Sequence, residues 1–312
     1  CNFYSMKKII VPIAWISFSL AGLAQEPDTL RTTDTIPVEE QTAQAAITEE
    51  PLHLDFTNSN NGSDEVYRLK PASDIPITAT GTGWSLYAFS KIYSKDKSSV
   101  DKILSLDKSN IPSFDRHGAS VYHPKADNVG DMLFYSSMPL PIILMLDKEI
   151  RRDGLKIALL YLESMSVTGL LYTGSVYLND RYRPYAYNPD VPMDKRTRGG
   201  AKNSFFAGHV ALVGTSTFFI AKVLNDYHPD SKVKWLPFTL AGIATGTTAV
   251  MRYQGGQHFL SDIVIGTVVG VLSGVLVPHV HKNRSLADRR LSWHTSWMGD
   301  RAQIAFTYRL MK

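Results

Sequence analysis

The sequence predicts an all-α fold, in which a helical bundle embedded in a membrane lies between a disordered polar segment and a short β-like tail. Three observations predict it. Nearly all the long apolar runs lie within residues 130–280, basic residues cluster at alternate junctions between those runs, and residues 26–66 are polar and lack apolar periodicity. A chain of 312 residues is long enough for one large domain or two small ones.

The overall composition excludes some classes of protein. Hydrophobic residues make up 44% of the chain and the mean hydropathy is -0.11, which is low for a protein embedded entirely in a membrane. The formal net charge of +4 is modest and argues against nucleic acid as the main partner. The single cysteine, Cys1, excludes an internal disulfide.

The N-terminal segment has the pattern of an export signal. Met6 is a candidate translational start, and it is followed by two lysines, the apolar run 9–20, and small residues suited to cleavage before Gln25. We therefore expect residues 1–24 to comprise upstream residues and a signal peptide, with an uncleaved membrane anchor as the alternative. Residues 25–75 are expected to form a disordered polar tether.

Two shorter helices are predicted ahead of the apolar region. Residues 77–94 are weakly apolar, with aromatic side chains suited to a membrane interface or a core edge. Residues 99–106 suit a short helix. The stretches "IPSFDRHG" (111–118) and "YHPKADN" (122–128) are predicted to be loops, because they contain proline, glycine and polar residues without apolar periodicity.

Five longer apolar segments follow, and several approach the ~20 residues needed to span a bilayer. In the last segment Gly266, Gly270 and Gly274 recur four residues apart, a spacing that permits close helix contact in lipid. A soluble bundle of buried helices is the alternative, and Glu163 and the short fourth segment keep it open. The five segments are roughly residues 131–147, 155–178, 205–224, 235–251 and 261–280.

The positions of the basic residues favour the membrane interpretation. Lysines and arginines cluster at 147–156, 222–234 and 282–290, which lie on one side if the five segments alternate in direction. The positive-inside rule makes that side cytoplasmic. Residues 179–204 and 252–260 then face the opposite, exported side. We therefore expect a bacterial inner-membrane protein with these loops in the periplasm; a soluble periplasmic protein is the alternative.

The C-terminal tail has a different pattern. Residues "RAQIAFTYRL" (301–310) alternate, with Ile304, Phe306, Tyr308 and Leu310 on one face, which predicts a strand. Together these patterns divide the chain into four parts. They are residues 1–24 with the signal peptide, the tether 25–75, a helical domain 76–281, and a basic linker with a short tail, 282–312.

Ionisable residues collect in the loops that we expect to face the periplasm. Arg183 follows the second apolar segment, His209 opens the third, and Arg252, His258 and Asp262 lie between the fourth and the fifth. Each one alone is more often a solvated or packed side chain. Charged groups at the ends of consecutive spans are costly, however, and together they mark a candidate functional site.

This set of side chains suits chemistry at phosphorus. Two guanidinium groups offer planar, permanently charged donors for phosphate oxygens. An imidazole can attack phosphorus when a carboxylate holds its other nitrogen, and His258 and Asp262 share a face if they lie on one helix. The imidazole of His209 can protonate the leaving oxygen. No acidic cluster suggests a metal cage, so we expect a metal-independent reaction without a cofactor.

The order and placement of these residues resemble the type 2 phosphatidic acid phosphatase (PAP2) superfamily. The family pattern is K-x6-R-P, then P-S-G-H, then S-R-x5-H-x3-D. This chain has "RP" at 183–184, "FAGH" at 206–209 and "MRYQGGQHFLSD" at 251–262. The resemblance covers about residues 130–280 and implies a PAP2-like helical bundle.

The resemblance also implies a role for each matched residue. His258 would be the nucleophile, Asp262 would orient it, and His209 would be the general acid. Metal ions have no place in this set. The implied phosphate-binding groups are Arg183, Arg252 and the backbone amide of Gly208.

The chain departs from the family pattern at several phosphate-binding positions. Val176 stands where the family has lysine, and Ala207 and Met251 stand where the second and third motifs have serine. Each charge-assisted hydrogen bond is worth roughly 1.5–3 kcal/mol, so their loss would slow turnover. The basic loop "DKRTRGGAKNS" (194–204) is suited to steer an anionic substrate. Candidate auxiliary residues are Arg181, Lys195, Arg196, Arg198, Lys202 and Ser204.

We therefore predict a metal-independent phosphatase that hydrolyses a lipid phosphate or diphosphate through a phosphohistidine intermediate. Its partners would be the membrane and a phosphorylated lipid or another phosphoester, and not nucleic acid. Two alternatives stay open. A soluble periplasmic acid phosphatase would use the same site, whereas a catalytically weak relative would only bind phosphorylated ligands or serve as a structural membrane protein.

Overall fold

A computed structural model of the chain describes residues 65–283 and the backbone of two strands, Leu291–Met298 and Arg301–Tyr308. These residues belong to one compact unit, Ser59–Lys312. The predicted signal peptide and most of the predicted tether lie outside the described residues.

The described residues confirm the all-α prediction. The five predicted apolar segments correspond to the helical stretch Pro124–Leu146 and to the helices Gly154–Leu178, Gly208–Tyr227, Trp235–Gln254 and Leu260–His281. The α-helices are α1 Pro71–Tyr93, α2 Val100–Leu104, α3 Ser113–Arg116, α4 Pro124–Ser137, α5 Lys148–Arg152, α6 Gly154–Leu178, α7 Met193–Arg196, α8 Gly208–Tyr227, α9 Trp235–Gln254 and α10 Leu260–His281. Short 3-10 helices cover Lys108–Asn110, His117–Ser120, Leu140–Leu146, Pro184–Tyr187 and Gly199–Lys202.

Two helices begin earlier than the sequence predicts, and each begins with a proline. α1 begins at Pro71, inside the predicted tether, and Asp74 in its first turn accepts a hydrogen bond from the amide of Lys70 at 2.5 Å. α4 begins at Pro124, inside the predicted loop 122–128. Proline fits the first helical position because it has no amide hydrogen, and an amide hydrogen at that position would have no acceptor within the helix.

α8 is the central helix of the bundle. It contacts α4, α6, α9 and α10, while α1 packs against the outer side of α6. Most residues of α8 are buried, and Phe219 near its middle is completely so. One core cluster therefore surrounds the second half of α8, with Leu144, Ile157, Leu160, Phe219 and Val223 among its members.

Glycines allow α10 to lie directly against α8. A Cβ at Gly266 would be 2.5 Å from the carbonyl oxygen of Ala207, and one at Gly274 would be 2.6 Å from that of Thr215. Gly270 between them meets the backbone of α8 in the same way. The predicted role of this glycine spacing is thus confirmed, since only glycine leaves room for the neighbouring backbone.

The opposite face of α10 is apolar and exposed. Its side chains recur every four residues, which places them in one stripe along the helix. An apolar stripe of this length is unfavourable in water but matches a lipid environment. The stripe consists of Leu260, Val264, Val268, Leu272 and Leu276, each 48–51% exposed.

Among the described residues, three segments are long and apolar enough to cross a membrane. They are Pro124–Leu146, Gly154–Leu178 and Leu260–His281. These segments support a location in the membrane. α8, by contrast, is enclosed by its neighbours, so its apolar character serves the core of the bundle.

The C-terminal strand prediction is confirmed. Residues Arg301–Tyr308 pair antiparallel with Leu291–Met298, and Trp293 lies opposite Phe306 in the register. The sequence did not predict the first of these two strands. Leu310, the last residue of the predicted alternation, lies outside the described residues.

Substituting Gly270 with alanine should destabilise the protein. The added Cβ would overlap the backbone of α8 at Ala211, and overpacking of this kind costs about 1–3 kcal/mol. Thermal unfolding in detergent would measure the loss. Gly246→Ala on α9 is the matched control, because no atom lies within 4 Å of its Cβ position. Equal melting temperatures for the two variants would contradict the proposed helix contact.

Candidate active site

Three parts of the chain meet at one end of the bundle. They are the loop 179–207 that follows α6, the first turn of α8, and the junction between α9 and α10. The amide of Ala207 donates to the carbonyl oxygen of Asp262, and the amide of Tyr185 donates to that of Gly256, both at 3.0 Å. These hydrogen bonds join the loop to the junction, so the residues of all three predicted motifs come together.

The turn into α10 requires a glycine at position 256. The φ angle of Gly256 is 67°, a conformation that residues with a Cβ rarely adopt. A Cβ there would also lie 2.7 Å from the carbonyl oxygen of Val121. The turn carries the chain from the end of α9 into His258, which lies two residues before Leu260, the first residue of α10.

His258 is buried, with 1% of its surface exposed, and the backbone fixes one of its ring nitrogens. Nδ1 lies 2.7 Å from the carbonyl oxygen of Ser204. Because a carbonyl can only accept, the neutral ring carries its proton on Nδ1 and a lone pair on Nε2. Nε2 has no hydrogen-bond partner among the described residues. The ring therefore presents an unprotonated nitrogen, as a nucleophile requires.

The surroundings of His258 keep the ring neutral. Burial holds the pKa of His258 well below its usual range, and the positive charges of Arg183 and Arg252 lower that pKa further. A proton on Nε2 would place another positive charge beside two guanidinium groups in a site with little access to water. The reactive, unprotonated form is therefore the stable one at neutral pH.

Asp262 is fully buried and binds Ser204 rather than His258. Its carboxylate accepts hydrogen bonds from Oγ of Ser204 at 2.6 Å and from the amide of Phe259 at 2.9 Å, and it forms an ion pair with Arg181. The expectation that His258 and Asp262 share a helix face is wrong, because α10 begins after His258. Ser204 connects the two residues, since its hydroxyl contacts one and its carbonyl contacts the other.

Arg181 belongs to a buried ion-pair network. Its Nη1 pairs with Asp262, and its Nη2 lies 2.7 Å from Asp115, a carboxylate that is 1% exposed. Asp115 also accepts from the amide of Ser261 at 3.0 Å and from its hydroxyl at 2.6 Å. Both terminal nitrogens of Arg181 are thus engaged by carboxylates, which suits a positioning role better than the predicted auxiliary contact to phosphate.

The two predicted phosphate-binding arginines each have one buried donor without a partner among the described residues. Nη1 of Arg252 donates to Asp127 at 2.9 Å and to Asp131 at 2.6 Å, and Nη1 of Arg183 donates to Gln257. Nε of both arginines is buried and unpartnered within the part of the chain that the structure describes. An unpaired buried donor costs about 1–3 kcal/mol, so both groups suit an anion that supplies acceptors.

His209 lies in the first turn of α8 and faces Asp131. Nε2 of the ring is 3.2 Å from Oδ1 of Asp131, and the ring packs against Phe134 with centroids 4.4 Å apart. The same carboxylate oxygen accepts from Arg252. If His209 and Arg252 have their predicted roles, a substrate oxygen would contact these two groups. The Asp131 carboxylate is thus the acceptor that these two groups share in this structure.

Gly208 is required because Tyr172 lies close to the start of α8. A Cβ at position 208 would be 2.5 Å from ring atoms of Tyr172, which belongs to a core cluster with Val176 and Phe206. The glycine thus allows α8 to begin beside α6. Its amide is one of the first four of the helix, which have no intrahelical acceptor and favour anions.

Two of the residues that depart from the family pattern have no exposure to solvent in the structure. Val176 is completely buried in the core, and Ala207 is completely buried at the start of α8. Lys95 reaches the carbonyl oxygen of Val176 at 2.8 Å, but it pairs with Asp180 at the surface. Lys95 therefore caps the end of α6, and Asp180 compensates its charge.

Two lysines of the basic loop differ in their surroundings. Nζ of Lys195 is 3.1 Å from the hydroxyl of Tyr122 and 3.8 Å from Asp127, the partner of Arg252. Lys202 is partly buried and has no ion-pair partner among residues 65–283. The structure thus brings Lys195, but not Lys202, close to Asp127, which also pairs with Arg252.

Sequence reasoning missed the acidic residues of the site. Asp115 comes from the short helix α3, and Asp127 and Asp131 come from α4. Gln257 links Asp127 to Arg183, because its amide nitrogen donates to that carboxylate at 2.7 Å. The spacing of Asp127 and Asp131, four residues apart, was the one available signal, since such residues share a helix face.

Comparison with known proteins agrees with the motif pattern. The sequence model of the PAP2 superfamily matches residues 157–286, a range that contains all three motifs. The chain is similar to a solved transmembrane PAP2 type phosphatidylglycerolphosphate phosphatase from Bacillus subtilis, with 19% identity and a TM-score of 0.41. That match covers 68% of this chain and 98% of the other. No curated protein matches the chain.

The neutral state of His258 should be visible by NMR. Because its pKa in the folded protein is lowered, the ring should remain the Nδ1–H tautomer as the pH falls through ~6.5, the ordinary value for histidine. Nitrogen spectra of histidine-labelled protein in detergent would follow this, with His258→Ala to assign the signal. Chemically unfolded protein is the control and should titrate near ~6.5. Protonation of the His258 ring between pH 6 and 7 in the folded protein would contradict the expected environment.

Proposed function

Because the sequence model of the PAP2 superfamily matches residues 157–286, we propose that this membrane protein is a phosphatase that hydrolyses a lipid phosphate or diphosphate through a phosphohistidine intermediate. One observation carries the proposal. Nε2 of His258 and Nε of Arg183 and Arg252 are buried and unpartnered among the described residues. A nucleophilic nitrogen beside two cationic donors is the arrangement that phosphoryl transfer needs.

The first step forms a bond between His258 and phosphorus. The lone pair on Nε2 attacks the phosphoryl group, and the bond from phosphorus to the leaving oxygen breaks. The carbonyl of Ser204 holds Nδ1–H and so keeps the attacking nitrogen in place. As the ring becomes cationic in the phosphohistidine, this hydrogen bond strengthens, because its donor then carries charge.

Proton transfer in both steps is assigned to His209. In its protonated form, the ring donates a proton to the leaving oxygen, so that the product departs as an alcohol or a phosphate. Burial lowers the pKa of His209 to about 4, and Asp131, 3.2 Å from Nε2, offsets part of this effect. The negative charge of a bound phosphate would favour the protonated form further. The neutral ring then takes a proton from the water that attacks phosphorus, which releases phosphate and restores His258.

Positive charge at the site stabilises the transition state. The non-bridging oxygens of the transferred group gain charge-assisted hydrogen bonds from Arg183 and Arg252 and a hydrogen bond from the amide of Gly208. None of these steps calls on a metal ion, since the two guanidinium groups supply the charge. The apolar Val176, Ala207 and Met251 reduce the number of donors, so we expect turnover to be slower than with the full family pattern.

The location of the site supports a lipid substrate. His258 and Asp262 lie at the start of α10, whose outer face is the exposed apolar stripe defined above. A site at the end of a membrane-embedded helix can accept a phosphorylated headgroup while the acyl chains remain in the bilayer. The distribution of basic residues supports a periplasm-facing site in a bacterial inner membrane. The apolar stripe argues against the soluble periplasmic alternative.

A second candidate function is binding of phosphorylated ligands without turnover. One observation favours it: Val176, Ala207 and Met251 leave fewer donors to stabilise a transition state. The unpartnered Nε2 of His258 favours catalysis, because binding alone needs no nucleophile. Activity measurements on a variant of this residue separate the two functions.

Replacing His258 by alanine should abolish hydrolysis. Loss of a covalent nucleophile lowers kcat by more than about 10³-fold. Phosphate release from phosphatidate, phosphatidylglycerophosphate and undecaprenyl diphosphate would be measured with purified protein. Orthovanadate should block the wild type, because it resembles the pentacoordinate transition state. His279→Ala, exposed at the far end of α10, is the control. Undiminished activity of the His258 variant would refute the mechanism, and an inactive wild type would favour the binding function.

Replacing Asp131 by asparagine should tighten anion binding. The substitution keeps the size of the side chain and removes a negative charge that contacts His209 and Arg252. We expect the inhibition constant of orthovanadate to fall by about tenfold, which corresponds to about 1.4 kcal/mol. Asp194→Asn is the control, because Asp194 is exposed and pairs with Arg198. An unchanged inhibition constant would show that Asp131 does not compete with phosphate.

A further inference from the structure

A second buried cluster of ionisable residues lies at the other end of α10. Asp74 in the first turn of α1, Glu163 in α6 and His281 at the end of α10 meet there. Their ligating atoms, two carboxylate oxygens and one ring nitrogen, all lie within 4.8 Å of one another. At 1.5 Å per residue, His281 lies about 28 Å along α10 from Asp262, so the cluster is separate from the phosphate site.

The hydrogen bonding of His281 leaves its outer nitrogen facing two acceptors. Nδ1 lies 2.7 Å from the carbonyl oxygen of Val277, so the neutral ring carries its proton there. Nε2 then has a lone pair, and it is 3.1 Å from Oδ1 of Asp74 and 3.6 Å from Oε2 of Glu163. Three electron-rich atoms that face one another repel, so either a proton on Nε2 or a metal ion has to lie between them.

Glu163 strengthens this requirement. The residue is 5% exposed in a segment long and apolar enough to span a membrane, and its carboxylate accepts no hydrogen bond from the described residues. Asp74, in contrast, also accepts from the amide of Lys70 at 2.5 Å and from Ser73 at 2.8 Å. A buried carboxylate without donors is costly. Its orientation toward Nε2 of His281 is explained if both groups bind the same ion.

We propose that Asp74, Glu163 and His281 bind a divalent transition-metal ion, for which Zn²⁺ is the best match. Imidazole with two carboxylates is a ligand set for such ions, whereas Mg²⁺ and Ca²⁺ prefer sites made of oxygen alone. A backbone carbonyl that accepts from the second nitrogen of a histidine is the usual support of a metal ligand, because it fixes the ring and raises its basicity. Water would complete a tetrahedral site.

The ion would have a structural role. Its three ligands come from α1, α6 and α10, which are far apart in sequence, so one ion would hold the start of α1 against the other two helices. The distance of the cluster from His258 keeps the metal out of the phosphate chemistry. The proposal therefore stands or falls independently of the proposed hydrolysis, and its test does not use phosphatase activity.

Metal binding can be measured directly on the whole protein in detergent, purified without a polyhistidine tag. After treatment with a chelator and its removal, the wild type should bind one Zn²⁺ per chain in a saturable titration, and its melting temperature should rise with Zn²⁺ concentration. Ca²⁺ and Mg²⁺ should bind at least about tenfold more weakly, because one ligand is an imidazole.

Variants connect the binding to these three residues. Glu163→Gln keeps the size of the side chain, and His281→Ala removes the nitrogen ligand; each should weaken Zn²⁺ binding by at least about tenfold and abolish the rise in melting temperature. Circular dichroism would verify that each variant is folded. His279→Ala is the matched control, since this exposed histidine lies one position beyond Pro278 on the same helix. Absence of saturable binding to the wild type, or equal binding by Glu163→Gln, would overturn the proposal.

Discussion

The buried carboxylate of Asp262 is the interaction on which the candidate site depends. A charge with no exposure to water is stable only if donors surround it, and Asp262 obtains them from Ser204, from Arg181 and from the amide of Phe259. These donors come from the loop after α6 and from the entrance to α10. Their need to converge on one carboxylate fixes the loop against the helix. His258 is then positioned by a backbone carbonyl of that same loop.

The acidic residues of α4 explain how a site rich in arginine is stable without substrate. Arg252 is 3% exposed, and burying it alone would be costly, but Asp127 and Asp131 provide acceptors for one of its nitrogens. A phosphate bound to Arg252 as proposed would displace part of this pairing. Stability in the free state thus opposes substrate affinity, as is common where a functional group is held in a conformation that favours its ligand. The effect on affinity is limited because Nε of Arg252 is unpaired and could bind a phosphate oxygen without breaking an ion pair.

The spacing of residues in the sequence was sufficient to predict part of the candidate site. Arg252, His258 and Asp262 lie within eleven consecutive residues, so the pattern placed them at one helix junction. The acidic partners could not be found in that way. Asp115 lies in the short helix α3 and Asp127 in the first turn of α4, both more than 100 residues before Arg252, and their contacts depend on tertiary packing. The partner of His258 is a main-chain carbonyl, which any residue provides, so no sequence pattern could distinguish it from a carboxylate.

The two ends of α10 show how one helix can serve two kinds of charge. The start of a helix carries a partial positive charge and its end a partial negative charge. The candidate phosphate site lies at the start of α10 and of α8, where amides favour an anion. His281, at the last residue of α10, faces two carboxylates and is suited to share a cation with them. Between these ends the helix has an apolar outer face that suits lipid, and its glycines allow it to pack closely against α8. The sequence of α10 therefore places charge at its ends alone, and a phosphate at one end and a cation at the other would both be favoured by the same dipole.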